Sequence, residues 1–211
     1  MASRPTKPTR QAAADRDFLS GQLLIAMPNM GDPRFERSVL LMCAHDEHHA
    51  MGVILNKPLV DVEMGELLDQ LDITPPDAVS RKPVYFGGPV QTDRGLVLHT
   101  LDYRLAATLE ICPGVGLTTT REILVDIAGG KTARAAPRQF LLAIGYAGWG
   151  AGQLEEEIAI NAWANCDPDT AIIFSDAANQ TWNRALARLG VTGAMLSPEW
   201  SSPRPDDAPL N

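Results

Sequence analysis

The sequence predicts a single domain of mixed helix and strand, α+β or α/β in class. Three observations carry that expectation. Short apolar runs of strand length, separated by turn residues, crowd the first half of the chain. Segments with helical spacing sit between strands in the second half. No repeat and no linker divides the 211 residues, a length that fills one core without requiring a second.

Residues Met1 to Asp17 are polar, carry Pro5 and Pro8, and lack apolar periodicity, so residues 1–17 are expected to be a mobile tail. The domain is expected to span residues 18–196. Leu23–Met27 is the first apolar run. It stops at Pro28-Asn29-Met30-Gly31-Asp32-Pro33, where the prolines and the glycine preclude regular pairing. Ser38–Ala44 and Met51–Leu55 flank Asp46-Glu47-His48-His49 and read as a buried antiparallel hairpin, closed off by Asn56-Lys57-Pro58. Met64, Leu67, Leu68 and Leu71 recur at helical spacing and predict a helix over Val62 to Leu71. Thr74-Pro75-Pro76-Asp77 is a loop.

Val84-Tyr85-Phe86 is a short strand halted by Gly87-Gly88-Pro89, and Leu96–His99 is the next. Leu109–Cys112 and Val115–Thr119 bracket Pro113-Gly114 as another pair. Arg121 to Ile127 is a helix that Thr119 or Thr120 can cap and Gly129-Gly130 can end, with a polar insert over Lys131 to Arg138. Phe140–Ile144 is an apolar strand entering a loop, Gly145 to Gly152, with four glycines in eight residues. Gln153 to Ala162 is a helix whose first turn holds Glu155, Glu156 and Glu157, where the helix dipole favours carboxylates. Ala171–Phe174 is a late strand. Thr181 to Leu189 is a helix stopped by Gly190, and residues 197–211 are an expected flexible tail.

Composition narrows the function classes. The formal net charge of −8 repels phosphate backbones and anionic membrane surfaces, which disfavours direct nucleic-acid binding. No apolar run reaches the roughly 18–20 residues that span a bilayer, and no signal-peptide core opens the chain. Cys43, Cys112 and Cys166 are odd in number and scattered, which fits a reducing compartment rather than a disulfide framework. The expected location is therefore cytoplasmic.

The candidate chemistry is sparse. Cys43, His45, His48 and His49 lie within seven residues, and zinc takes such ligands. Cys43 and His45 share one face of a regular strand, but His48 and His49 diverge in a turn, and no second Cys pair completes a tetrahedron. A metal-free loop is the reading adopted, with no metal site and no cofactor expected. The same spacing raises an activated thiolate at Cys43, for which strand geometry does not aim His45 at the sulfur. Ser20 and Ser38 lack a nucleophile-elbow context. Glu155 and Glu157 point to different sides of a helix and do not form an acid–base pair. The glycine-rich segments match neither a Walker loop nor the dinucleotide fingerprint. They are the expected walls of any ligand pocket, through Gly87, Gly88, Tyr146, Gly148 and Trp149, with the two aromatic rings as stacking surfaces.

Five stretches resemble the bacterial YqgE/AlgH family: LLIAMPNMGDPRFERSVLLMCAHD, AMGVILNKPL, FGGPVQTDRGLVLHT, LAIGYAGWGAGQLEEEI and IIFSDAANQTWNRALARLGV. They run in the family's order through most of residues 19 to 196. The resemblance implies one α+β domain, a mixed, largely antiparallel and partly barrel-like sheet surrounded by helices. It brings no settled biochemical activity. Its AlgH branch carries a label of transcriptional regulation linked to alginate production, with no helix-turn-helix here to serve it. Cys43 and His45 fall on a Cys-x-His pattern of the family, and Glu155 and Glu157 on its Gln-Leu-Glu-x-Glu-Ile pattern. The expected protein is a non-enzymatic binding or regulatory one, with an unidentified protein or small-molecule partner and any effect on transcription indirect. The alternative is an enzyme of unknown substrate using Cys43 and His45 near an anion site at Gly148 to Gln153.

Overall fold

The computed structural model describes residues 18–129 and 135–191. The expected tails, residues 1–17 and 197–211, lie outside the described residues, as does part of the polar insert. Ten strands form the sheet: β1 (Leu23–Ala26), β2 (Val39–His45), β3 (His49–Ile54), β4 (Pro58–Glu63), β5 (Pro83–Phe86), β6 (Val90–Thr100), β7 (Leu109–Cys112), β8 (Val115–Thr118), β9 (Phe140–Gly150) and β10 (Trp163–Cys166). The helices are α1 (Met64–Asp69), α2 (Asp77–Ser80), α3 (Arg121–Ile127), α4 (Gln153–Ala159), α5 (Thr170–Ile173) and α6 (Ala178–Arg188). None of the described helices is long and apolar enough to cross a membrane.

The strand order is β10-β1-β2-β3-β9-β6-β8-β7. Every pairing is antiparallel except that of β5, which runs parallel beside β9 and carries β4 on its other side. The sheet curls. The amide of Gly21 donates to Met42 O at 2.8 Å, yet a Cβ on Gly21 would stand 2.8 Å from Ile111 O. The β1–β2 edge therefore bends round to meet β7, four strands beyond β3 in the order.

β9 is the spine. One edge pairs with β6 along Phe140–Tyr146. The other edge pairs first with β5, over Leu142–Ile144, and then with β3, over Ala147–Gly150. At the changeover the backbones crowd together. A Cβ on Gly87 would lie 2.1 Å from Gly145 O, and one on Gly88 2.1 Å from Tyr146 C. Gly145 itself has φ +71°, open only to glycine without strain. The side-chain alternation also slips at Gly145: Ala143 and Tyr146 face the same core cluster, three residues apart.

That slip divides the interior. The inner cluster holds Leu23, Ile25, Leu41, Val53, Leu96 and Ala143, covered by Ile172 and Ile173 of α5 and by Trp182 and Leu186 of α6. The opposite face carries two clusters. Leu24, Leu40, Met42, Ala147 and Trp149 pack under Leu154 of α4. Val84, Val97 and Leu142 pack under Met64 and Leu68 of α1 and Ile123 and Ile127 of α3.

Four expectations need correction. Gly145–Gly150 is the second half of β9, not a loop; the glycines permit the close strand crossing while the ladder continues. Ala171–Phe174 lies in α5 and its C-cap, because Asp169 accepts from Ala171 N and starts a helix. A four-residue apolar run does not distinguish buried strand from helix. The late strand is Trp163–Cys166, paired along β1. The helix expected over residues 62–71 spans only Met64–Asp69, since Pro58–Glu63 forms β4, and the one expected to end at Ala162 ends at Ala159. Asn161 there takes φ +58° and Ala162 N reaches back to Glu157 O, a Schellman-type stop.

Candidate functional site

A cleft of about 450 Å³ opens on the outer face, between α1, α3 and the sheet. That lies within the size range of small-molecule sites, roughly 300–1,000 Å³. Its floor is built from two cross-strand pairs of β6 and β9, Gly95 opposite Ile144 and Val97 opposite Leu142. Leu67 and Leu71 form one wall, and Leu124 forms the other. The helical spacing 64, 67, 68, 71 explains the division of labour on the first wall. Met64 and Leu68 are fully buried in the core, while Leu67 is half-buried and Leu71 is 37% exposed at the cleft.

Polar groups stand at the rim: Gln70, Thr92, Asp93, Thr119, Thr120 and Arg121. Arg121 joins the two walls, its Nη2 donating to Leu71 O at 2.6 Å. Gly95 leaves the floor low. A Cβ there would meet only Leu142 Cδ1, at an ordinary 3.7 Å. None of these rim residues was expected from sequence to contact a ligand; Thr119, Thr120 and Arg121 figure there only as the start of a helix. The leucine spacing announces a helix face, but nothing local announces that two segments fifty residues apart share a cleft.

The structure places the expected pocket residues elsewhere. Gly87 and Gly88 are buried at the β5–β9 crossing, where their missing Cβ atoms admit the neighbouring backbone. Gly148 lies under the Tyr146 ring, whose Cε2 would be 3.4 Å from a Cβ. Trp149 is 5% exposed. Its ring stacks against Phe35 and meets Trp163 edge-on, centroids 5.9 Å apart. The Nε1 groups of Trp149 and Trp163 both donate to Glu157 Oε2, at 2.9 and 2.7 Å, and Gln153 Nε2 donates to Oε1 at 3.0 Å. Glu157, expected only to offset the helix dipole, is the common acceptor for two buried indoles.

Cys43 and His45 are on opposite faces. The register runs Met42 to Gly52 and then Ala44 to Met51, so Cys43 is the extra residue of a β-bulge. Cys43 packs against the inner cluster. His45 pairs with Ala50, which belongs to the outer cluster. The expectation of a shared face fails because the bulge reverses the alternation. Burial, with Cys112 nearby, pushes the Cys43 thiol up to about 12. The His45 ring is fully committed: Nδ1 accepts from Leu19 N at 3.0 Å, and Nε2 lies 2.8 Å from Glu155 Oε1. The Leu19 bond fixes the tautomer, so Nε2–H is the donor to Glu155. His48 and His49 sit in a turn whose amides donate to Asp46 Oδ1 at 2.8 and 3.0 Å. Among the described residues no group of three His, Cys, Asp or Glu side chains is placed to hold a metal ion.

A second buried histidine, His99, was read in the sequence only as the end of a strand. Its Nδ1 lies 3.0 Å from Thr100 O and its Nε2 2.9 Å from Thr118 Oγ1. Thr118 Oγ1 is 2.8 Å from Thr108 Oγ1, which accepts from Leu105 N at 2.9 Å. With the ring neutral the chain closes as Leu105 N–H to Thr108, Thr108 O–H to Thr118, Thr118 O–H to Nε2, and Nδ1–H to Thr100 O. Burial holds the ring's pKa below the ordinary value, against opposing contributions from Thr100 O and Asp102.

Fold and cleft together define a one-domain α+β protein with a curled, mostly antiparallel sheet and a ligand-sized opening on its outer side. The chain belongs to the AlgH-like family (DUF179), whose match covers residues 23–194. A UPF0301 protein of Bradyrhizobium sp. is 49% identical over 188 residues, 85% of each chain. One of Methylobacterium sp. is 48% identical over 200 residues, 91% of this chain and 92% of its own. The solution structure of AlgH from Pseudomonas aeruginosa superposes with a TM-score of 0.71 at 39% identity, covering 92% of this chain and 96% of that one. A crystal structure of DIP2367 from Corynebacterium diphtheriae, 20% identical with a TM-score of 0.63 over 81% of this chain and 86% of that one, shares the fold. The family and the α+β architecture expected from the sequence motifs are thus shown.

Proposed function

We propose that this protein is a cytoplasmic, non-enzymatic binding protein that takes a small molecule with an apolar body into the outer cleft, in a regulatory setting. The observation that carries this reading is the continuous apolar floor of Gly95, Val97, Leu142 and Ile144 between two walls of leucine, open to solvent under a polar rim. Burying apolar ligand surface there is favourable by about 25 cal/mol per Å² before association costs. The net charge of −8 works against direct contact with DNA, so any influence on transcription runs through the ligand or a protein partner. A thiol pushed up to about 12 works against a Cys43 thiolate nucleophile, and the bulge removes His45 as its base.

The test fills the floor. Nile red, a neutral apolar dye, should bind the full chain with a blue-shifted emission. Gly95→Val points its methyls into the cleft without a backbone clash and should weaken dye binding at least tenfold with little change in melting temperature. Equal dye affinity in the wild type and Gly95→Val, or steady substrate turnover lost on changing Cys43, would overturn the reading.

A further inference from the structure

The charge at the cleft selects among apolar ligands. Arg121 is held against it by the 2.6 Å bond to Leu71 O, which uses one of five guanidinium N–H groups. Among the described residues no carboxylate lies within 4.0 Å of that guanidinium, a feature it shares with Arg37, Arg81, Arg94 and Arg184, whereas Arg34, Arg104, Arg138 and Arg188 each have such a partner. A cation fixed beside an apolar surface, with Glu122 as an electrostatic neighbour but no carboxylate in direct contact, keeps guanidinium N–H groups for a carboxylate, which it can engage in a charge-assisted and bidentate fashion.

One carboxylate, Asp93, lines the same cleft on the β6 side. It disfavours a ligand carrying a second negative charge. The floor offers no polar side chain to a ligand's interior.

We propose that the cleft binds a monocarboxylate amphiphile, its carboxylate on Arg121 and its apolar body over Gly95, Val97, Leu142 and Ile144. This rests on the reading of the cleft as a ligand site and adds the class of ligand. Nothing covalent is involved; the recognition is one ion pair and one apolar contact.

Calorimetric titration of the full chain with three probes of equal chain length, decanoate, decanol and decylammonium, separates the two ideas. Decanoate should bind at least tenfold tighter than either of the others. Arg121→Gln should abolish that preference, so that decanoate and decanol bind with the same affinity. Added salt should weaken decanoate and not decanol, a readout that needs no variant and decides the matter if Arg121→Gln does not fold. Decanol or decylammonium binding as tightly as decanoate would overturn the carboxylate assignment and leave the cleft reading standing. Failure of all three to bind or to displace Nile red would overturn both.

Discussion

His99 shows how a single buried side chain sets a pH response. The hydrogen-bond chain from Leu105 to Thr100 is complete with the ring neutral, the form that burial favours. Its folded pKa lies below the ordinary 6.5, with burial the leading cause. As the pH falls through 6.5 the unfolded chain takes up the proton first, so the folded state loses stability. Above that value the neutral ring is preferred in both states and this contribution is constant. The urea midpoint should therefore drop between neutral pH and about pH 5, before most carboxylates titrate, and the drop should be shallower in His99→Gln. An identical slope in the two proteins would remove His99 from the account. Glu157 gives the companion case. Glu157→Ala leaves two buried indole N–H groups without their acceptor, at a cost of about 1–3 kcal/mol each. Glu157→Gln keeps an acceptor oxygen and should lose much less in the same denaturation measurement.

Elements fail or hold according to where their glycines lie. β5 can approach β9 only because residues 87 and 88 lack Cβ atoms. Gly87→Ala would force a carbon to 2.1 Å from Gly145 O and should cost more than about 4 kcal/mol, leaving little soluble protein. Gly150, six residues from the Ile144 pairing on the same strand, has nothing within 4 Å of its Cβ position, so Gly150→Ala should melt close to wild type. The sequence made the density of glycine plain but not its purpose. Glycine marks both loops and tight strand crossings, and the difference depends on a neighbour distant in the chain. The same limit applies to β2. Its apolar run was readable, whereas the bulge at Cys43 depends on its register with β3, so the parity of Cys43 against His45 was not readable. The swap of strand for helix at Thr170–Ile173 has a local cause that was available: Asp169 stands where an N-cap belongs.

At the scale of the molecule, the hairpin of β2 and β3, the strands β5 to β8 and the α3 and α6 helices were legible from period and punctuation. The family motifs supplied the α+β class. The cleft was not legible, because its floor comes from residues 95–97 and 142–144 and its walls from residues 67–71 and 119–124. Only the sheet topology brings these four segments together. The slip at Gly145 has a final consequence for how such a protein can change. It gives the sheet one communal side and two private ones. The Trp149–Trp163–Glu157 assembly and the Arg121-rimmed cavity share no buried residue, and strand backbone separates each from the communal side. Substitutions that retune what the cavity accepts are thereby insulated from the tryptophan assembly, so relatives can diverge in ligand choice while that assembly and its stability stay fixed.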